Sequence, residues 1–90
     1  MKKTEKYRIV ISSKAQKDYR KLDPSIQTRV VKAILILETN RTPQQFKSLV
    51  GGDIASFRLR VGDYRILYDV YDKEKEVLII RIGHRKDIYR

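Results

Sequence analysis

The stretch that decides the fold is Phe57-Arg-Leu-Arg-Val-Gly-Asp-Tyr-Arg-Ile-Leu-Tyr-Asp-Val-Tyr71. Apolar and polar side chains alternate on either side of Gly62-Asp63, which is the pattern of two half-buried strands joined by a tight turn. A third apolar run follows after a second polar turn. The pattern therefore predicts an antiparallel meander of three strands, at about 54–61, 64–72 and 76–82.

The residues before this meander predict one more strand and two helices. Tyr7-Arg-Ile-Val-Ile11 is a strand-like run. Ser12 or Ser13 can accept a hydrogen bond from an unpaired backbone N–H and so begin the first helix. A cap residue followed by proline, Asp23-Pro24, predicts the start of the second helix, which should run to about Asn40.

Residues 41–53 contain a proline and two glycines and are predicted to be a loop. The element order is then β-α-α-β-β-β, with two N-terminal helices packed on one face of a small antiparallel-meander sheet, which is an α+β fold. Ninety residues suit one such domain, and we expect it to span residues 1–90.

The meander is expected to put positive charge on one face of the sheet. Because side chains alternate, Arg58, Arg60 and Arg65 should all leave by the face that the helices do not cover. Guanidinium groups match phosphate oxygens bidentately, so this face is a candidate phosphate or RNA site. Two plainer alternatives stay open. Arg58 and Arg60 could be solvated strand residues, and Arg65 could be the structural partner of Asp63 or Asp69.

The C-terminal stretch Gly83-His-Arg-Lys-Asp-Ile-Tyr-Arg90 adds positive charge and contains the only histidine of the chain. Histidine exchanges protons near neutral pH, so His84 is a candidate general acid or base. Tyr71 and Tyr89 are candidates to stack on bases. The structural alternatives are an idle surface position for His84 and an anchoring role for Tyr89.

Composition restricts the possible partners. The formal net charge is +10, from 21 basic and 11 acidic residues. The excess lies at the two ends, with eight basic and two acidic residues in 1–22 and four and one in 81–90. This distribution favours anionic partners, although a basic surface without a ligand would look the same.

Several classes of site are excluded or not expected. The absence of cysteine and the single histidine exclude thiolate and multi-histidine metal sites, and we expect no metal and no small-molecule cofactor. No apolar run reaches about 18 residues, so we expect a soluble cytoplasmic protein with no membrane partner.

The second predicted helix has more apolar residues than one core-facing stripe needs. Val31, Leu35 and Ile36 fall outside that stripe. They could form a partner site, or they could be covered by the first helix and the first strand.

The chain resembles the RelE/ParE superfamily of bacterial and archaeal toxins, and within it the RelE-like mRNA interferases. The resemblance is carried by Phe57-Arg-Leu-Arg-Val-Gly-Asp-Tyr-Arg-Ile-Leu-Tyr68 and by Ile82-Gly-His-Arg-Lys-Asp-Ile-Tyr89. It covers essentially the whole chain, including the two helices and Phe46-Lys-Ser-Leu-Val-Gly-Gly52. Gyrase-directed ParE relatives share much of the C-terminal pattern, so the pattern marks the superfamily more specifically than the activity.

This resemblance implies the toxin of a type II toxin–antitoxin system, acting as a ribosome-dependent endoribonuclease. Such toxins enter the decoding site of the ribosome, where the 2′-hydroxyl of the mRNA attacks the adjacent phosphate and translation is inhibited. By analogy, Arg65 and Arg85 would clamp the scissile phosphate, and Tyr89 would stack on or orient the nucleotide. The candidate RNA-binding residues are Arg58, Arg60, Tyr71 and Lys86.

One departure from the family concerns proton transfer. Well-studied members have lysines at the positions of Arg58 and Arg60, and arginine essentially cannot give up its proton. His84 or Tyr89 would then have to accept the proton. His84 directly precedes Arg85 and is the preferred candidate.

The resemblance also implies a cognate antitoxin, which typically wraps the toxin with an amphipathic helix and an extended segment. An acidic, apolar antitoxin would suit both the arginine-bearing sheet face and the apolar surplus of the second helix, which consists of Val31, Leu35 and Ile36. Two other functions are compatible with the same fold. One is a ParE-like toxin that inhibits DNA gyrase, and the other is a catalytically weak module that binds nucleic acid or antitoxin.

Overall fold

A computed structural model describes residues 5–51 and 54–88. Its elements, in chain order, are β1 Arg8–Ile11, α1 Ser13–Arg20, α2 Pro24–Ile36, β2 Phe46–Ser48, β3 Phe57–Val61, β4 Tyr64–Tyr71 and β5 Glu76–His84. Two helices and one five-stranded mixed sheet confirm the predicted α+β class. Within the described ranges, neither helix is long and apolar enough to cross a membrane.

The strand order in the sheet is β1-β5-β4-β3-β2. The predicted meander of β3, β4 and β5 is confirmed, since both of its pairings are antiparallel. Two features go beyond the prediction. β1 pairs in parallel with β5, and the segment 41–53, which was predicted to be a loop, contains the short edge strand β2 paired with β3. The loop prediction was therefore wrong at Phe46–Ser48.

The helix boundaries have local causes. The Ser12 hydroxyl oxygen accepts a hydrogen bond from the Ala15 N–H at 3.0 Å, which confirms Ser12 as the cap of α1. Pro24 begins α2 as predicted. α2 ends at Ile36, earlier than about Asn40, because the N–H of Leu37 turns to the carbonyl of Ile34 in a tighter 3₁₀-type bond of 2.9 Å.

The main core lies between the helices and one face of the sheet. Its fully buried members from the helices include Ala15 and Val30, and those from the sheet include Ile66, Tyr68 and Ile79. On β4 these inward residues occupy alternate positions, as a half-buried strand requires. The helices therefore cover one face, which is the predicted arrangement.

The other face of the sheet is only partly open. Ala55, Leu67 and Ile88 form a second, smaller buried cluster there, with Leu49 and Ile80 at its margin. The face that the helices leave uncovered is therefore not fully open, because the C-terminal segment folds back and covers the middle of β4. The position of Ile88 shows that the chain after Gly83 runs beside this face.

Candidate phosphate-binding site at the turn between β3 and β4

The strand register places the predicted arginines on one face. Arg60 pairs directly with Arg65 across β3 and β4, and Arg58 pairs with Leu67. Residues that lie directly opposite in an antiparallel pair project from the same face, so Arg58, Arg60 and Arg65 share the face away from the helices. This confirms the expected grouping. Two like charges at directly opposed positions also destabilise a sheet unless an anion lies near them.

The edge strand β2 adds a basic residue to this face. Lys47 pairs with Arg58 and is exposed. Lys47 was not predicted to belong to this face, because its segment was predicted to be a loop. The Nε atom of Arg58 is buried and has no hydrogen-bond partner among the described residues. A buried donor without an acceptor is uncommon in folded proteins, so the position of Arg58 needs an explanation.

The guanidinium of Arg65 is tied to the turn between the two strands. Its Nη1 donates hydrogen bonds to the carbonyl oxygens of Gly62 and Tyr64, both at 3.0 Å. Gly62 has a φ of 60°, a conformation that glycine adopts without a steric penalty. The turn therefore controls where the charge of Arg65 lies.

Arg85 approaches the same turn from the C-terminal segment. Its backbone N–H donates to the carbonyl oxygen of Asp63 at 2.8 Å. Its Nε lies 3.8 Å from a carboxylate oxygen of Asp63, and both side chains are largely exposed. Arg65 and Arg85, which are 20 positions apart in the chain, thus meet at the dipeptide Gly62-Asp63. The two predicted phosphate ligands are brought together.

His84 lies beside this cluster but on the other side of the sheet. It pairs with Tyr64, whose ring it meets edge-on with 5.3 Å between the ring centroids. Tyr64 alternates with Arg65 along β4, so His84 and Arg65 project from opposite faces at the end of the sheet. The Nδ1 atom of His84 accepts a hydrogen bond from the backbone N–H of Lys86 at 3.1 Å.

Of the two tyrosines predicted to stack on bases, Tyr71 lies among the described residues and Tyr89 does not. Tyr71 is exposed at the far end of β4 from Arg65. Six residues of extended strand separate the two by roughly 20 Å, so Tyr71 and the arginine cluster cannot contact the same nucleotide. Tyr89 lies outside the described residues, and its predicted role stays a prediction.

Arg29 of α2 is a further basic residue at the turn, and it was not predicted from the sequence. A Cβ atom built on Gly62 would lie 2.7 Å from Nη2 and 3.3 Å from Cζ of Arg29, so this guanidinium rests against the glycine. Its spacing within an amphipathic helix carries no signal for a contact with a distant turn.

A separate apolar groove lies on the helix side of the sheet. Its volume is about 670 Å³, and its walls come from β1, α1, α2 and β5. Val31 and Leu35 line it and are 40% and 52% exposed. Ile36 is 50% exposed but is not part of the lining. The apolar surplus of α2 is therefore not covered by α1 and β1, and two of its three residues face one groove.

The turn offers the fixed positive charges of Arg65 and Arg85, and the imidazole of His84 lies beside them. Arg65 and Arg85 can bind phosphate oxygens and stabilise charge that develops on phosphorus. Among residues 5–51 and 54–88, no group of three histidine, cysteine or acidic side chains could hold a metal ion.

Comparison with known proteins shows the family and the fold of the chain. The toxin RelG of Mycobacterium tuberculosis is 34% identical over 85 residues, which are 93% of this chain and 97% of that protein. The toxin–antitoxin complex RelBE2 of the same organism contains a chain with a TM-score of 0.80 and 31% identity, and the match covers 97% of this chain and 100% of that one.

A similar structure comes from an archaeon. The RelE–RelB complex of Pyrococcus horikoshii contains a chain with a TM-score of 0.78 and 28% identity, over 91% of this chain and 98% of that one. The family described as the ParE toxin of type II toxin–antitoxin systems matches residues 9–89. The chain thus belongs to the ParE toxin family of type II toxin–antitoxin systems, within the RelE/ParE superfamily, and has a RelE-like fold.

Proposed function

We propose that this toxin is a ribosome-dependent endoribonuclease that cleaves mRNA in the decoding site and thereby inhibits translation. The observation that carries the proposal is the convergence of Arg65 and Arg85 on the Gly62-Asp63 turn, next to Arg60. Arg85 approaches the carboxylate of Asp63 at this turn, and Arg60 stands directly opposite Arg65 with a further positive charge. The proposed activity places the protein in the cytoplasm, with mRNA and the ribosome as partners.

The cationic residues have distinct proposed roles. Arg65 and Arg85 clamp the scissile phosphate and stabilise the extra negative charge on five-coordinate phosphorus. Arg58, Arg60 and Lys86 hold the neighbouring RNA backbone, and Lys47 extends this surface to the sheet edge. Tyr71 would contact a nucleotide away from the cleavage point, and Tyr89 would stack on the nucleotide being cut.

In the proposed reaction a bond forms between the 2′-oxygen and phosphorus while the bond from phosphorus to the 5′-oxygen breaks. The products are a cyclic phosphate and a free 5′-hydroxyl. One proton leaves the 2′-hydroxyl and one is added to the 5′-oxygen. The arginines cannot accept the first proton, so an imidazole, a phenol or water must take it.

His84 is the proposed proton-transfer residue, and its hydrogen bond sets a condition on that transfer. Because Nδ1 accepts the N–H of Lys86, the proton of the neutral ring sits on Nε2. A neutral imidazole is too weak an acid to protonate the leaving 5′-oxygen, so His84 acts through the imidazolium, which carries a proton on both nitrogens. Whether His84 first accepts a proton or donates one, the hydrogen bond from Lys86 to Nδ1 must therefore break.

We further propose that a cognate antitoxin occupies both faces of the molecule. An amphipathic helix of the antitoxin would place apolar residues in the groove beside Val31 and Leu35. Its acidic residues would face the exposed basic side chains of α1, such as Lys17 and Arg20. An extended acidic segment would cross the arginine-bearing face and block RNA.

A second candidate function is gyrase inhibition without RNA cleavage. The matching family is the ParE toxin family, and this match favours the alternative. A gyrase inhibitor would need the fold and its surfaces, but not the pairing of Arg65 with Arg85 at one turn.

The test is expression of the toxin alone, followed by mapping of mRNA 5′ ends and of DNA breaks. We expect growth arrest with new 5′ ends inside translated codons. The double variant Arg65→Ala, Arg85→Ala should lose these ends, whereas Lys14→Ala, Lys17→Ala, which removes two exposed charges from α1, should keep them.

The other outcomes of this experiment are also decisive. Unchanged cleavage in the Arg65→Ala, Arg85→Ala variant would exclude the proposed site. Double-strand DNA breaks with intact mRNA would select the gyrase inhibitor, and no growth arrest would select the weak binding module. A His84→Gln variant that cleaves at the wild-type rate would remove His84 from the mechanism, since loss of a proton-transfer group costs about 10²–10⁴-fold in rate.

A further inference from the structure

Arg29 is held against the turn by packing, and no acidic group in the described part of the chain fixes its position. Its guanidinium lies against Gly62, where a Cβ would be 2.7 Å from Nη2. Within residues 5–51 and 54–88, no ion pair or hydrogen bond involves the Arg29 side chain. By contrast, Arg81 is bound by Asp18 and Arg85 approaches Asp63. An exposed, unpaired guanidinium at a defined place is suited to an incoming anion.

Three elements bring arginine to this one turn. Arg29 comes from α2, Arg65 from β4 and Arg85 from the segment after β5. The carboxylate of Asp63 is approached by Arg85, and its side chain is 70% exposed. Arg29 therefore adds to the turn a positive charge that the contact between Asp63 and Arg85 does not neutralise.

Arg29 and Arg65 lie on different sides of the turn. α2 packs on the helix side of the sheet, whereas Arg65 projects from the other face. The turn is the edge at which the two faces meet. A strand of RNA that crosses this edge would place successive phosphates near Arg65 and then near Arg29.

We infer that Arg29 binds the backbone phosphate next to the one held by Arg65 and Arg85, so that single-stranded RNA passes over the β3–β4 turn toward α2. This inference rests on the proposed function and adds a subsite to it. Arg29 is a positioning residue here, because it would contact a phosphate that does not react. Gly62 suits such a passage, since a side chain there would displace Arg29.

The experiment measures binding of a short single-stranded RNA that is 2′-O-methylated throughout and cannot be cleaved. Fluorescence anisotropy at a series of salt concentrations gives the dependence of log K on log salt. Each phosphate contact on a single strand contributes a slope of about −0.7. We expect Arg29→Ala to lower the magnitude of the slope by about 0.7 and to weaken binding several-fold at low salt, and we expect Arg29→Lys to restore most of the slope.

The matched control is Lys32→Ala, which removes one exposed positive charge from the same helix one turn further along. If Arg29→Ala and Lys32→Ala give the same slope, Arg29 has only a general charge effect and the inference is wrong. The inference is also overturned if Arg29→Ala weakens binding of an acidic antitoxin but leaves RNA binding unchanged.

Failure of the proposed function gives a different pattern. In that case the wild-type protein does not cleave mRNA in cells, whatever the RNA slope of the Arg29 variants. Both the subsite and the proposed function are supported if Arg29→Ala lowers the magnitude of the salt slope and the wild-type protein cleaves mRNA in cells.

Discussion

At the scale of single residues, Tyr68 links the core to the loop that follows α2. Its side chain is fully buried, and its hydroxyl donates a hydrogen bond of 2.7 Å to the carbonyl oxygen of Arg41. Burial raises the pKa of Tyr68 to about 12, because a phenolate in the core would lose its hydration. The neutral hydroxyl is therefore the form that the fold selects.

Replacement of Tyr68 by phenylalanine should change stability in two separate ways. At neutral pH the variant loses one hydrogen bond, with a net cost of about 1 kcal/mol in the free energy of unfolding. The pKa of Tyr68 is raised in the folded state above its ordinary value of 10.0. The contribution of the neutral hydroxyl to the free energy of unfolding is therefore complete below pH 10 and is lost between pH 10 and about 12. Wild-type stability should fall more steeply than that of Tyr68→Phe across this window.

Urea denaturation followed by circular dichroism from pH 7 to 12 measures both effects. Tyr71→Phe is the matched control, because Tyr71 is an exposed tyrosine on the same strand. Parallel pH profiles for the wild type and Tyr68→Phe would contradict the predicted role of the buried hydroxyl.

Part of the site at residue scale follows from alternation alone. The shared face of Arg58, Arg60 and Arg65 needs only the strand period of two, and the register bears it out. The contact of Arg29 with Gly62 could not be predicted, because it depends on how α2 packs over a turn distant in sequence. The same holds for the opposite placement of His84, which depends on the pairing of β5 with β4.

At the scale of elements, α1 is fastened to β5 by a partly buried ion pair. The pairing of Leu67 with Arg81 and of Tyr68 with Ile79 leaves Ile80 as an extra residue in β5, which is a bulge. A bulge redirects the neighbouring side chains. The carboxylate of Asp18 accepts hydrogen bonds from Nε of Arg81 at 2.8 Å and from the backbone N–H of Ile82 at 3.0 Å.

Removal of this carboxylate should loosen α1 from the sheet. The side chains of Asp18 and Arg81 are only 13% and 19% exposed, so Asp18→Ala would leave a poorly solvated charge without a partner. We expect a loss of about 3 kcal/mol in the free energy of unfolding, near the lower end for a buried pair. Glu76→Ala, which breaks the more exposed pair with Arg8, should cost less than about 1 kcal/mol.

Urea unfolding of both variants tests this difference between the two contacts of β5. Equal losses would mean that the Asp18–Arg81 pair behaves as an ordinary surface pair. Amide hydrogen exchange would add the location, since faster exchange in Asp18→Ala should be confined to α1 and the adjoining part of β5.

The sequence allowed the regular elements to be predicted better than the edges of the sheet. The meander was predictable because β3 and β4 alternate and are joined by Gly62-Asp63, a strong turn signal. β2 has only three residues, too few for a periodic pattern to appear. The parallel pairing of β1 with β5 joins opposite ends of the chain, and no local signal specifies it.

At the scale of the whole molecule, two different surfaces lie on opposite faces of one sheet. The arginine-bearing face and the β3–β4 turn are polar and cationic, whereas the groove on the helix side is largely apolar. With a net charge of +10, the protein attracts nucleic acid and acidic protein alike. Long-range attraction therefore cannot distinguish the proposed RNA from the antitoxin, and the short-range contacts that each surface offers must do so.

This separation predicts opposite effects for variants in the two surfaces. Leu35→Glu places a carboxylate in the groove, where a bound antitoxin helix would cover the charge and remove its hydration. We expect antitoxin affinity to fall by about 10- to 100-fold, which corresponds to roughly 1.4–2.8 kcal/mol, while mRNA cleavage stays unchanged. Leu35 is already 52% exposed, so folding should tolerate the change. The control Ser25→Glu adds the same charge to an exposed position of α2 outside the groove.

Co-expression of each variant with the cognate antitoxin measures neutralisation, and expression alone measures toxicity. Leu35→Glu should remain toxic when the antitoxin is present, whereas Ser25→Glu should be neutralised like the wild type. The Arg65→Ala, Arg85→Ala variant should be harmless in both cases yet should still bind the antitoxin through the groove. If Leu35→Glu is neutralised as fully as the wild type, the groove contributes little to antitoxin binding. Antitoxin binding would then depend on the arginine-bearing face alone, where the extended antitoxin segment and RNA are proposed to overlap.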